Sequence, residues 1–401
     1  MTMLARTCGI LQRLVAFPTV SSQSNLELIA YAADLLSDAG ATLVISRDET
    51  GAKANLFATI GPEGDGGIVL SGHTDVVPAD PAEWSSDPFT LREEDGRLYG
   101  RGTCDMKGFL AAALAMAGRF AETPLSRPVH FALTYDEEVG CLGGRALVRE
   151  LERNNIRPAV AIIGEPTGMG IIEGHKGCYE YTTEFFGLEG HGSNPGKGVN
   201  AVEYAARYVS RLLDLADALK ARAPADSRFE PPWTTVQVGR IEGGTARNVI
   251  AGHCAVEWEM RPVAAEDAHF VKQDLQTYVD TVLLPSMHAV SPDCAIVTHT
   301  IGEVEGLKVV PQSEARAIVS ELTGQRHADV VPFGTEAGLF QAAGISSIIC
   351  GPGSIAQAHK PDEFVAIEQL AACLDMLEKL RLKLANQTGG CIVAQAHRSD
   401  G

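Results

Sequence analysis

The sequence predicts an α/β protein, a mixed sheet flanked by helices, interrupted by a smaller α+β module of ferredoxin-like order. Three observations carry that expectation. Apolar runs typical of buried strands alternate with helical patterns over residues 1–179. Between residues 180 and 300 the order changes to strand, helix, two strands, helix, strand. From 301 to 401 the earlier pattern resumes, so the middle module reads as an insertion. A chain of 401 residues is also too long for one ordinary core, which makes two domains the default.

The elements follow in order. MTMLARTCGILQRLVAF is apolar with Arg6 and Arg13 at helical spacing, which predicts an amphipathic first helix rather than an export signal. A second helix is expected over 24–39, capped by Ser24 and stopped by Gly40, followed by short strands around 42–46, 54–60 and 67–72. MKGFLAAALAMAGRF is apolar around much of its circumference and should lie against the sheet. VHFALTYDEE and AVAIIGEPT read as buried strands running into acidic groups, and sites in open α/β sheets gather beyond strand carboxyl ends. The module then runs through YEYTTEFFG, a helix over about 199–222, the strands TTVQVGRIEGG and GHCAVEWEMRP, a helix over about 265–283, and CAIVTHT. The Pro-rich loop ARAPADSRFEPPW separates its first helix from the hairpin. ADVVPFG and SSIICGPGS return as strands, and a helix from 366 to about 386 precedes a tail, NQTGGCIVAQAHRSDG, expected to be loose.

Composition bounds the partners. With 45% hydrophobic and 21% charged residues the chain is an ordinary water-soluble one. Its 33 basic against 51 acidic residues give a net charge of −18, which repels nucleic acid and anionic lipid, so no nucleic-acid or membrane partner is expected. Nine cysteines without a C-x-x-C pair support neither a disulfide framework nor a structural zinc ribbon, and point to a reducing cytoplasm.

Five segments end in metal-capable side chains: GHTD (His73, Asp75), GTCDMKG (Asp105), YDEE (Glu137, Glu138), GEPT (Glu165) and QAHKPDEF (His359). Residues i and i+2 of a strand share a face, so Asp75 can accept the second ring N–H of His73 while His73 binds a metal. A single such pair also fits a polar strand end satisfied by local hydrogen bonds. Five segments together favour a metal centre, because clustered carboxylates repel one another unless a cation neutralises them, and a mixed N/O set suits a pair of Zn²⁺ ions. Adjacent Glu137 and Glu138 on an extended strand would point to opposite sides, one to metal and one to substrate. A carboxylate beside a metal-bound water can take its proton, which predicts a hydrolase.

GHTDVVP, LYGRGTCDMKG, DEEVGC, GEPT, EGHKG, GHGSNP, MRP and GPGSIAQAHKPDEF together resemble the co-catalytic zinc amidohydrolases of the aminoacylase, succinyl-diaminopimelate desuccinylase and acetylornithine deacetylase family, from about residue 10 to about 385. The block FGTEAGLFQAAGISSIICGPGSIAQAHKPDEF is especially similar to the acetylornithine deacetylase branch. The resemblance implies a zinc-exopeptidase-like fold and two Zn²⁺ ions per subunit, with Co²⁺ as a substitute. It implies that Asp105 bridges the ions, that His73 and Glu165 complete one site and Glu138 and His359 the other, that Glu137 is the general base, and that Asp75 supports His73. It further implies a homodimer built on the inserted module, whose His191 reaches the partner's active site to hold an oxyanion; the plain alternative for His191 is a Gly-rich turn. Gly192 departs from the Ala or Ser common in relatives, which suggests a more mobile loop. Arg261 and Asn248 match substrate-binding positions, against a surface salt bridge and a turn hydrogen bond. Gly353 and Ser354 could present N–H groups to a substrate α-carboxylate, and Glu336 could pair with the δ-ammonium of ornithine or form a structural ion pair. Cys104 reads as a small packed hydrophobe, and Lys107 either tempers the acidic cluster or is a solvated helix-start lysine. The expected substrate is a small N-acyl amino acid: acetylornithine, with succinyl-diaminopimelate, another acylated amino acid or a dipeptide as competitors. A silent binding protein on the same fold would lack a ligand or the base, whereas all are present.

Overall fold

The computed structural model describes residues 1–385, and the tail expected to be loose, 386–401, lies outside the described residues. Eight strands form one mixed sheet in the order 42–47, 54–60, 129–134, 68–73, 160–163, 346–349, 172–175, 329–331. At its centre Ile68–His73 pairs in parallel with both Val129–Thr134 and Val160–Ile163, and Ser346–Ile349 is parallel to the last of these. Four carboxyl ends therefore open on the same edge. The strands Ile68–His73 and Val129–Thr134 are buried at every residue, the reason they read as unbroken apolar runs. One covering helix is Gly108–Ala121, whose Ala-rich surface is buried on nearly all sides.

The second helix begins at Leu26, later than its sequence pattern suggests. Asn25 takes the cap position, but its amide clasps Ala54 at 2.9 Å in both directions instead of binding the helix. Ser24 still accepts from Leu26 N–H at 3.2 Å while donating to the Ala52 carbonyl.

A separate four-stranded sheet, ordered 235–243, 253–261, 178–186, 295–304, carries two helical segments, Ala201–Lys220 and Ala265–Leu283. Along Cys178–Phe186 burial alternates, and Tyr179, Tyr181 and Phe185 join the helices in a core with Tyr208 and Trp258. The opposite face is open to solvent along much of its length. The Pro-rich loop folds back onto the large sheet: Arg228 pairs with the buried Glu173, which also receives Arg316 at 2.7 Å, and the Lys176 ammonium donates to the Trp233 carbonyl at 2.7 Å. Among the described residues no helix is long and apolar enough to cross a membrane.

Candidate metal centre

The parallel strands deliver their side chains to one pocket. His73 is the last residue of its strand, Glu137 and Glu138 follow Val129–Thr134, Glu165 follows Val160–Ile163, and His359 lies beyond Ser346–Ile349. Asp105 stands between the two imidazoles, with one oxygen 3.0 Å from His73 Nε2 and the other 3.3 Å from His359 Nε2. His359 is also 3.1 Å from the Glu138 carboxylate, and His73 Nε2 is 3.8 Å from Glu165 Oε1. Donor atoms of His73, Asp105 and Glu138 lie within 4.8 Å of one another, as do those of His73, Glu137 and Glu165.

The residues fit divalent-cation binding. Asp105 offers one oxygen toward each imidazole. Glu165 Oε1 is buried without a hydrogen-bond partner, a costly state for a carboxylate unless a cation meets it. Burial, reinforced by neighbouring acids, pushes Glu165 well up and Glu137 to about 8. Asp105 moves the other way: burial opposes ionisation, but hydrogen bonds from His359 and His73 outweigh it and hold the carboxyl low. The hydrogen bonds of Asp105 and Glu138 raise His359 to about 10. Four carboxylates facing two imidazoles leave excess negative charge, which cations would neutralise.

Several expectations need correction. The strand before the YDEE motif stops at Thr134, and Asp136 has φ +53°, so Glu137 and Glu138 sit in a turn and alternation along a strand does not separate them. His73 Nδ1 pairs at 2.8 Å with the backbone carbonyl of Asp75, while the Asp75 carboxylate is 3.7 Å away. That carboxylate instead accepts from Ser21 Oγ at 2.7 Å, Glu137 N–H at 3.0 Å and Glu138 N–H at 3.3 Å. Asp75 thus holds the loop that carries both glutamates.

Glu336 is buried, with Oε1 accepting from Ser71 at 2.6 Å and Oε2 from Thr134 at 2.9 Å. It sits among the strands rather than in an open pocket and is not placed to meet an ammonium group. Lys107 is not solvated: its ammonium donates to the Phe17 carbonyl at 2.9 Å, and burial lowers it to about 7. Gly353 N–H faces Gln369 Oε1 at 3.4 Å rather than free space, and its φ of +89° with Cys104 Sγ 2.6 Å from a notional Cβ explains the glycine. Ser354 is exposed, its hydroxyl accepting from Ala356 N–H at 3.3 Å and its carbonyl from the buried Cys104 thiol at 3.3 Å.

His191, Asn248 and Arg261 belong to the smaller sheet's module. Gly192 is pinned, not loosened: its N–H donates to the Asn248 carbonyl at 2.7 Å, and a Cβ would come within 2.9 Å of that backbone. His191 is exposed, its Nδ1 lying 2.7 Å from Ser193 Oγ and 3.2 Å from Ser193 N. Arg261 is half-buried and donates to Glu259 at 2.7 Å. Glu259 in turn converges with Cys178 and Glu180, donor atoms within 4.8 Å of one another, a grouping that strand alternation allows but no sequence motif flags.

A parallel-centred sheet with this His, Asp and Glu set at its strand ends is the framework of a metal-dependent hydrolase, and the chain belongs to peptidase family M20/M25/M40, whose profile matches residues 69–383. An acetylornithine deacetylase of Pasteurella multocida (strain Pm70) is 36% identical over 375 residues, covering 92% of this chain and 95% of that protein. The M20 family metallo-carboxypeptidase Sso-CP2 from Sulfolobus solfataricus shares the fold with a TM-score of 0.73 at 19% identity, covering 94% of this chain and 98% of its own. A dinuclear metal-binding M20 peptidase from Bacillus subtilis does so with a TM-score of 0.62 at 17% identity, over 95% and 98% of the two chains.

Proposed function

We propose that the protein removes the acetyl group from N²-acetyl-L-ornithine, giving L-ornithine and acetate, in the cytoplasm and as a homodimer built on the inserted module of residues 180–300. The observation that carries the reading is Asp105 placed between His73 and His359 with one oxygen directed to each. The deacetylase relative at 36% identity over 92% of the chain supplies the substrate.

His73, Asp105 and Glu165 would hold one Zn²⁺ ion and Asp105, Glu138 and His359 the other, an N/O donor set that also accepts Co²⁺. Bound there, such ions would supply Lewis acidity toward the amide carbonyl and toward water. Glu137, beside His73 and Glu165, takes a proton from the attacking water and returns it to the departing amine nitrogen. Asp75 keeps Glu137 and Glu138 in register through their two N–H groups. His191 presents a ring N–H to the oxyanion in the partner subunit's site, where such a donor is worth about 2.7–4 kcal/mol. Arg261 offers its fork to the substrate carboxylate, with Asn248 beside the His191 segment.

The test is a rate comparison on acetylornithine, succinyl-diaminopimelate, other acylated amino acids and a dipeptide, with Glu137→Ala as control. Acetylornithine should lead, and the variant should lose about 10²–10⁴-fold of the turnover. Preference for another amide would overturn the substrate assignment. Undiminished turnover by the variant would overturn the assignment of the base.

A further inference from the structure

Glu363 is absent from the ligand set, yet it is among the most completely engaged carboxylates near it. Four residues beyond His359, it is 1% exposed and accepts hydrogen bonds on both oxygens. Oε1 receives Cys104 N–H at 2.8 Å and Asp105 N–H at 3.0 Å. Oε2 receives Arg101 Nη1 at 2.7 Å and Gly102 N–H at 3.0 Å. Three backbone N–H groups of the loop that presents Asp105 therefore converge on one side chain. Within this loop Asp105 and Met106 leave helical geometry. Gly102, at φ +80°, makes the turn, where a Cβ would lie 2.7 Å from Val76 Cγ1.

Arg101 extends the anchor. Its guanidinium is 3% exposed as a residue, lies 5.0 Å from the Trp84 ring centroid, and donates at 3.3 Å to the carbonyls of Pro78 and Lys360. Pro78 closes the GHTDVVP segment that carries His73 and Asp75, and Lys360 adjoins His359. The Arg101–Glu363 pair thus ties together three segments that supply His73, Asp105 and His359.

We infer that Glu363, supported by Arg101, is the positioning residue of the metal centre, fixing the Asp105 carboxylate between the two imidazoles through the backbone N–H groups of residues 102, 104 and 105. The inference rests on the reading of Asp105 as the shared ligand. An amide at position 363 could accept from one pair of donors but would turn its own N–H groups toward the other pair, so the loop would shift and Asp105 with it. A displaced bridging oxygen weakens the hold on both cations.

The experiment titrates Zn²⁺ into chelator-stripped protein against a chromophoric competitor, for wild type, Glu363→Gln, Glu363→Asp, Asp105→Asn and Glu173→Gln. Glu173 is a fitting control because it is equally buried and paired, with Arg228 and Arg316, but lies in a separate ion-pair network. Glu363→Gln should lower Zn²⁺ affinity about 10–100-fold, the range for residues that orient metal ligands. It should lower kcat while KM stays within about twofold, and Glu173→Gln should leave affinity unchanged at a similar loss of unfolding stability. If Glu363→Gln does not fold, Glu363→Asp gives the readout, since the shortened carboxylate keeps its charge but not its reach, and its affinity should also fall. Wild-type affinity in whichever Glu363 variant folds would overturn the inference. Wild-type affinity in Asp105→Asn would instead overturn the reading of the centre, and the positioning role with it.

Discussion

Asp75 is the most exposing point of attack, because its predicted effect differs from that of an ordinary histidine partner. Its carboxylate receives the N–H groups of Glu137 and Glu138 and the hydroxyl of Ser21, and the residue is 2% exposed. Truncation to Ala leaves two backbone donors without an acceptor at about 1–3 kcal/mol each, so Asp75→Ala should lose about 2–6 kcal/mol of stability. Ser21 can turn to the Val76 carbonyl, now 3.5 Å away, and adds little. Asp75→Asn keeps one acceptor oxygen and opposes its amide to the remaining donor, for about 1–3 kcal/mol. Both substitutions release the turn that carries the base and one ligand, and turnover should fall about 10–100-fold. Urea unfolding of the metal-free protein isolates the stability term from cation binding, and steady-state hydrolysis reads the second. His73 keeps its backbone partner in either variant, so the orientation of its ring should survive. Asp75→Asn with wild-type stability and wild-type turnover would refute the argument.

Two further outcomes follow from buried groups. Glu336→Gln should change KM for acetylornithine by less than about twofold, because its partners are the Ser71 and Thr134 hydroxyls, which can rotate to donate or accept; a tenfold rise in KM would restore its role in binding the ammonium group. Burial lowers His130 and His175 from 6.5 to about 4, so the unfolded chain takes up protons that the folded one refuses. The contribution of these two imidazoles should therefore be full above about pH 6.5 and fall as the pH drops toward 4, by about 2 kcal/mol per imidazole at pH 5. Denaturant midpoints at pH 7.5 and 5.0 for wild type and His130→Asn would measure it, and an unchanged pH slope in the variant would remove His130 from the account.

Much of the framework is legible in the chain because its signals are local. Continuous apolar runs mark Ile68–His73 and Val129–Thr134 as strands covered on both faces, and the strict alternation in Cys178–Phe186 marks one covered on a single face. Metal-capable side chains immediately past such runs announce where chemistry would collect. The turn after Thr134 is less legible: Tyr135 and Asp136 extend the strand pattern in sequence, and only the positive φ of Asp136 ends it. Glu336 misleads for a related reason, since nothing in GTEAG tells a buried acceptor from an exposed ion-pair partner.

The sequence by itself determined which residue types stand at the strand ends and in what order, because periodicity and composition act over a few neighbouring positions. Tertiary structure alone decided who meets whom. Ser71 and Glu336 are 265 residues apart, Asp105 and Glu363 are 258 apart, and Asp75 and Ser21 are 54 apart, yet each pair shares a hydrogen bond. Such partners are chosen by how the sheet, its helices and the long returning segments pack, and by the cost of leaving a buried polar group unmatched. No short window of sequence contains that competition.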